Sequence, residues 1–191
     1  MLETIEAWDR ALFLFVNSIN SPFWDTVMWQ VSGKFQWIPL YLILLWLLIK
    51  QFQKEVWKPL VLIVLITIIA DQGSVQLFKN VVERYRPCHN LDLKEAVHLV
   101  YNKCGGKFGF ISSHASNTFA LATFIGLLLR SSYAKSLPFL MIWAFFVSYS
   151  RIYLGVHYPL DVIGGAIFGS LSAFLVFGIS KNWLHKSGAN D

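Results

Sequence analysis

Residues 37–49 read Trp-Ile-Pro-Leu-Tyr-Leu-Ile-Leu-Leu-Trp-Leu-Leu-Ile, and nothing among them is more polar than Tyr41. A helix of a soluble bundle would carry a polar face at the helical period. This stretch has none, so water suits no side of it. Four more apolar runs follow, at 59–70 continuing to 78, 119–129, 137–149 and 160–179. A bilayer-crossing helix needs about 20 predominantly apolar residues, within a range of roughly 17 to 25. The shorter runs reach that length when flanking polar residues join the same helices. The expected fold is therefore all-α, a polytopic transmembrane helix bundle of five or six spans.

Composition agrees. The 191 residues are 55% hydrophobic and 14% charged, against about 25% charged in a soluble domain. That balance excludes a disordered chain, and two cysteines exclude a disulfide-dense secreted scaffold. The net charge of +5 does not mark a nucleic-acid protein, because the apolar runs split the basic residues instead of leaving them in one groove. No repeat, low-complexity tract or linker divides the chain, so residues 1–191 are expected to form one domain.

The charges sort by segment. Lys50, Lys54 and Lys58 lie in one short connection, Arg130 and Lys135 in a second, and Lys181 and Lys186, with Asp191, in the tail. These segments alternate with spans and can share one side, which the positive-inside rule makes cytoplasmic. Residues 1–34, the long connection 80–111 and the turn 151–159 then fall outside. Residues 1–34 lack the basic start of a signal peptide. The spacing of Ile5, Trp8, Leu12, Phe15 and Val16 predicts an N-terminal interfacial helix; a crossing within 11–33 would make six spans.

Three polar clusters fall on that outer side. In the first, Lys79-Asn-Val-Val-Glu-Arg-Tyr-Arg86-Pro87 closes the second apolar run. Lys79 and Arg86 are two helical turns apart, and a helix reaching Pro87 would present both on one face. In the second, Gly109-Phe-Ile-Ser112-Ser113-His114 precedes the third run. Ser112 suits an N-cap, and the free amides of a helix start attract anions; plain capping with an incidental histidine is the alternative. In the third, Ser150-Arg151-Ile-Tyr-Leu-Gly-Val-His157-Tyr-Pro159-Leu-Asp161 turns between two runs. His157 and Asp161, four apart, can hydrogen-bond. A carboxylate on one ring nitrogen fixes the tautomer and frees the other for attack. No third His or Cys stands at ligand spacing, so a metal is not expected. Three fixed cations, helix amides and two histidines suit a phosphoryl group, whose transfer depends on positioning and charge stabilisation.

In order and in internal spacing these clusters resemble the type 2 phosphatidic acid phosphatase superfamily, which also contains vanadium haloperoxidases, and the flanking helices resemble its bacterial membrane lipid phosphatase branch. The resemblance runs over residues 79–161. It implies that His157 attacks phosphorus to form a phosphohistidine, that Asp161 orients His157, and that His114 protonates the leaving oxygen and then activates water. Lys79, Arg86, Arg151, Ser112 and Ser113 would bind phosphate, with no cofactor. One departure stands out: the family usually has Pro-Ser-Gly-His where this chain has Ile111-Ser112-Ser113-His114. Activity is expected to survive it.

The resemblance implies a lipid phosphate substrate held from the bilayer, with undecaprenyl diphosphate favoured, and phosphatidylglycerol phosphate, phosphatidic acid and lipid A phosphates as alternatives. A bacterial inner membrane, with the site on the periplasmic face, would be its setting. A lipid phosphotransferase would use the same residues. An anion transporter is the rival from another class, but it has no need of the two histidines with Asp161.

Three features stand apart. Asp71 interrupts the second run, where a hydrogen bond within the bundle is expected. Gly165 and Gly169 form a small-xxx-small seam suited to packing inside the chain. Cys88 and Cys104 share the outer loop and can pair in an oxidising compartment; the 17-residue closed loop would add about 3 kcal/mol in the chain-entropy model.

Overall fold

A computed structural model describes residues 2–93 and 95–185. Among them the secondary structure is helical: α1 (Leu2–Ser18), α2 (Pro22–Ser32), α3 (Ile38–Phe52), α4 (Trp57–Gly73), α5 (Asn80–Val82), α6 (Ser113–Leu129), α7 (Ser136–Tyr153) and α8 (Pro159–His185). A π-helical turn, Ser74–Lys79, joins α4 to α5. Local chemistry sets several starts. Ser21 caps α2, its hydroxyl accepting from Trp24 N at 3.4 Å, and Ser112 caps α6 by accepting from Ala115 N at 3.4 Å. Pro22 and Pro159 open α2 and α8, where a missing N–H costs nothing.

Among the described residues three helical stretches are long and apolar enough to cross a membrane: Phe35–Glu55, Trp57–Val82 and Pro159–Leu184. Helix α6, at 17 residues, is apolar but shorter. The expectation of five or six spans is thus met for three by length and composition. The protein is an integral membrane protein. Its surface carries large apolar side chains in rows, Leu42, Ile43, Trp46 and Ile49 on α3 and Ile163, Ile167, Leu171 and Phe174 on α8, an exposure that water would not tolerate.

Helix α6 is the axis of the bundle. Ala120, Ala122, Phe124, Leu128 and Leu129 are buried on it. Close backbone approach joins α6 to α8: a Cβ on Gly169 would come within 2.1 Å of Ser116 O, and one on Gly165 within 2.5 Å of Ser112 O. The small-residue seam therefore lies inside the chain. Asp71 also bonds within the bundle, Asn117 Nδ2 donating to its Oδ1 at 3.1 Å.

One expectation needs correction. Lys79 and Arg86 do not share a helix face. The π-turn shifts the register, the helix ends at Val82, and Glu83 takes a left-handed φ of 50°. The chain reverses there and runs extended through Arg86, where Tyr85 bridges to Phe108. Before α3 the described residues hold two helices, α1 and α2, broken at residues 19–21 where Ser21-Pro22 restarts the chain. Lys186 and Asp191, counted in the tail's charge, lie outside the described residues.

Candidate active site

The end of α4 with its continuation, the start of α6, the end of α7 and the start of α8 meet the connection 83–112, and all three polar clusters converge there. The α6 cap is locked to α8 by Ser112 N donating to Asp161 O at 2.8 Å. That one bond fixes the register between the second cluster and the third.

His157 is buried in the turn before α8, and Asp161 is fully buried on its first turn. His157 Nδ1 lies 3.2 Å from Asp161 Oδ2, and its Nε2 lies 3.2 Å from Arg86 Nη1. A carboxylate only accepts and a guanidinium only donates. The proton therefore sits on Nδ1, and Nε2 keeps its lone pair. Burial, then the cations of Arg86, Arg151 and Lys79, push the His157 pKa well below its ordinary value, which favours the neutral ring.

Asp161 has no idle oxygen. Oδ2 also accepts from Tyr158 N at 3.0 Å, and Oδ1 accepts from Arg84 Nη1 at 3.0 Å. Gly109 lies flush against this pair: a Cβ there would stand 2.9 Å from Asp161 Oδ2 and 3.6 Å from His157 Nδ1.

The cations arrive from three elements. Lys79, at the end of the π-turn, donates to Ser113 Oγ at 2.5 Å, and Ser113 Oγ is also 2.6 Å from Ser74 Oγ. Ser113 lies inside α6 without a positive φ, so the serine at the family's glycine position is unstrained, and its hydroxyl holds Lys79. Arg86 is anchored by Nε on Phe108 O and Nη1 on Val156 O, both at 3.3 Å. Arg151, near the end of α7, donates through Nη1 to Ser32 Oγ of α2, while its buried Nε has no hydrogen-bond partner among the described residues. His114 is exposed at the second position of α6, within electrostatic reach of Arg151, His157, Arg86 and Lys79. Cys88 and Cys104 are joined by a disulfide, with Cα atoms 5.9 Å apart, two residues beyond Arg86.

The sequence reading missed Arg84, Asp9 and Ser32. Arg84 Nη2 pairs with Asp9 Oδ2 at 2.7 Å while Nη1 holds Asp161. A signal for Arg84 existed: Arg84 and Arg86 are two apart before a proline, and extended backbone puts such side chains on one side.

Comparison with known proteins identifies the family. The model of the PAP2 superfamily matches residues 60–184. The chain is 39% identical over 182 residues to a lipid A 4'-phosphatase of Bacteroides thetaiotaomicron, covering 94% of this chain and 80% of that one. It is 34% identical over 193 residues to a lipid A 4'-phosphatase of Porphyromonas gingivalis, covering 97% and 80%. The crystal structure of a transmembrane PAP2-type phosphatidylglycerolphosphate phosphatase from Bacillus subtilis superposes with a TM-score of 0.73 at 23% identity, over 94% of this chain and 87% of that one, and shares the fold. The chain belongs to the PAP2 superfamily and is a membrane lipid phosphatase of that type.

Proposed function

We propose that this PAP2 chain hydrolyses a phosphate monoester on lipid A or a lipid of that class, through a phosphohistidine on His157. The observation that carries the chemistry is the ring held on both sides: Nδ1–H on Asp161, and the Nε2 lone pair facing Arg86. Nε2 attacks phosphorus and the bond from phosphorus to the lipid oxygen breaks. His114 gives its proton to that oxygen. Water then attacks the phosphohistidine, His114 takes the water proton, the P–N bond breaks and inorganic phosphate leaves. Lys79, Arg86 and Arg151 balance the charge on the equatorial oxygens, joined by the α6 amides and the Ser112 and Ser113 hydroxyls.

The head group rests on the two relatives with that activity, each matched over more than nine-tenths of this chain. They move the preferred substrate from undecaprenyl diphosphate to a lipid A phosphate.

Residues 1–191 act as one domain with five crossings, α3, α4 with its continuation, α6, α7 and α8. At 1.5 Å per residue the 17 and 18 residues of α6 and α7 come close to the roughly 30 Å of a hydrocarbon core. Helix α1 lies in the outer interface. Its Ile5, Trp8, Leu12 and Phe15 are exposed, away from the bundle, while Phe13 is buried. Lys50, Lys54, Lys58, Arg130, Lys135 and Lys181 gather at the end opposite the site, which supports a periplasmic active site in a bacterial inner membrane.

The test is phosphate release by the purified protein in detergent, with EDTA, from lipid A, undecaprenyl diphosphate and phosphatidylglycerol phosphate side by side. Chelator-resistant release that favours lipid A and is lost in His157→Ala is expected. Wild-type rates in His157→Ala would remove the nucleophile assignment, and preference for undecaprenyl diphosphate would return the head group to that lipid.

A further inference from the structure

Helix α1 lies outside the residues that the family model matches, yet it reaches the centre of the site. Asp9 is 4% exposed. Its Oδ2 takes Arg84 Nη2 at 2.7 Å, and its Oδ1 takes Leu160 N at 2.9 Å. Leu160 is the residue before Asp161. Arg84 in turn donates through Nη1 to Asp161 Oδ1 at 3.0 Å, and its guanidinium carbon stands 4.2 Å from the centre of the Tyr158 ring. One turn along α1, Phe13 meets that same ring edge-on at 5.4 Å. Asp9 thus grips Asp161 from two directions, through the backbone before it and through the guanidinium on its carboxylate.

We infer that Asp9 and Arg84 are a positioning pair, Asp9 fixing the Arg84 guanidinium and Arg84 fixing Asp161, and through it His157. Three features support this. The guanidinium is a planar fork that can hold two carboxylates at once, which an ammonium on a flexible stem cannot do with the same geometry. Asp9 and Asp161 are both buried and carry like charge, so the cation between them is needed. His157 and Tyr158 N both bond Oδ2 of Asp161, while Oδ1 takes Arg84, so Arg84 holds the other end of the carboxylate and fixes its tilt. The inference rests on His157 being the nucleophile.

The pair also sets a field. His157 faces Lys79 from the π-turn, Arg86 from the outer connection, Arg151 from α7, His114 from α6 and Asp161 from α8, with Arg84 and Asp9 behind Asp161. Removing the charge of Asp9 leaves Arg84 to neutralise Asp161 alone. The cationic phosphohistidine is then less stabilised, and a proton on free His157 is held less tightly.

The experiment is steady-state phosphate release from lipid A by the full-length protein in detergent, over pH, for the wild type and six variants. In Asp9→Asn, kcat falls about 10- to 100-fold, as for other groups that orient a functional histidine. Its KM stays within about twofold, and its acid limb moves to lower pH. Asp9→Glu keeps the limb in place and recovers part of kcat. Arg84→Gln moves the limb to higher pH. Because Asp9 acts through Arg84, Asp9→Asn/Arg84→Gln is no slower than Arg84→Gln alone. Losses that multiply in the double variant, an unmoved limb in Asp9→Asn, or wild-type kcat there would overturn the inference. Should Asp9→Asn fail to fold by thermal melt, Arg84→Lys decides: a lowered kcat with an unmoved limb supports the pair, and an unchanged kcat refutes it. His157→Ala separates the two levels. Wild-type rates in that variant defeat the nucleophile reading. Its inactivity beside an unmoved limb in Asp9→Asn defeats only the positioning pair.

Discussion

Arg86 Nη1 and His157 Nε2 stand 3.2 Å apart, so the guanidinium proposed to bind phosphate also faces the lone pair proposed to attack it. In the proposed reaction, attack requires Arg86 to pass from the ring to a phosphate oxygen. A single cation then keeps the imidazole neutral beforehand and balances charge afterwards.

This arrangement fixes the pH dependence. Burial first, and then Arg86, Arg151 and Lys79, hold His157 well below its ordinary pKa, which is about 6.5. The neutral ring is the attacking form. Because the folded value is lowered, competence persists as pH falls past the ordinary value and is lost only when the depressed value is reached. The acid limb of kcat/KM, which reports the free enzyme, should lie below about pH 6.5, and Arg86→Gln, which removes a cation, should raise it while lowering kcat. Initial rates across the acid range at fixed ionic strength check both; a wild-type limb above the ordinary value would contradict the electrostatics.

The serine at the family's glycine position is a separate test. Ser113 Oγ accepts from Lys79 at 2.5 Å, and a hydrogen bond to a charged group contributes about 1.5–3 kcal/mol. Ser113→Ala removes that contact without altering the helix. Its KM should rise by about tenfold, with kcat changed less. Ser113→Gly should behave alike, with a small added loss of thermal stability from glycine in a helix. Unchanged KM in both variants would mean that Lys79 needs no tether.

Much of the site was legible because its chemistry is local. Ser112 next to a helix start, and His157 four residues before Asp161, carry their geometry in their spacing. Apolar runs without a polar face announced the membrane bundle in the same way. Arg84 was hidden because Lys79–Arg86 reads as one helix, and nothing local announces a left-handed Glu83. Asp9 and Ser32 were out of reach for a different reason. Their partners Leu160 and Arg151 lie 151 and 119 residues away, and only tertiary packing joins them.

The Cys88–Cys104 disulfide closes the loop that begins just after Arg86. A closed loop of 17 residues is worth about 3 kcal/mol in the chain-entropy model. Cys88→Ser/Cys104→Ser should melt earlier in detergent by several degrees, about what that loss gives in a domain of this size. Added reductant should reproduce the shift in the wild type and leave the double variant unmoved. Thiol labelling of the unfolded, non-reduced protein should find no free cysteine; two labelled thiols would show that the loop is open in the protein as purified.

Ser32 makes the last case, because it ties a helix outside the family's matched residues to Arg151, a cation proposed to bind phosphate. Its hydroxyl accepts from Arg151 Nη1, and Arg151 Nε stays buried and unpartnered among the described residues. A phosphate oxygen is the acceptor such a donor needs. With Ser32 holding one nitrogen, the guanidinium keeps its orientation. In Ser32→Ala the guanidinium loses that tether but not its charge. Ground-state binding and transition-state contact should then weaken together, so kcat/KM falls by about tenfold. Arg151→Lys removes the fork itself and should cost more, about a hundredfold. If Ser32 acts only through Arg151, Ser32→Ala costs nothing further in the Arg151→Lys background. Equal losses in both backgrounds, measured as kcat/KM on one lipid phosphate, would assign Ser32 to the packing of α2 against α7 instead.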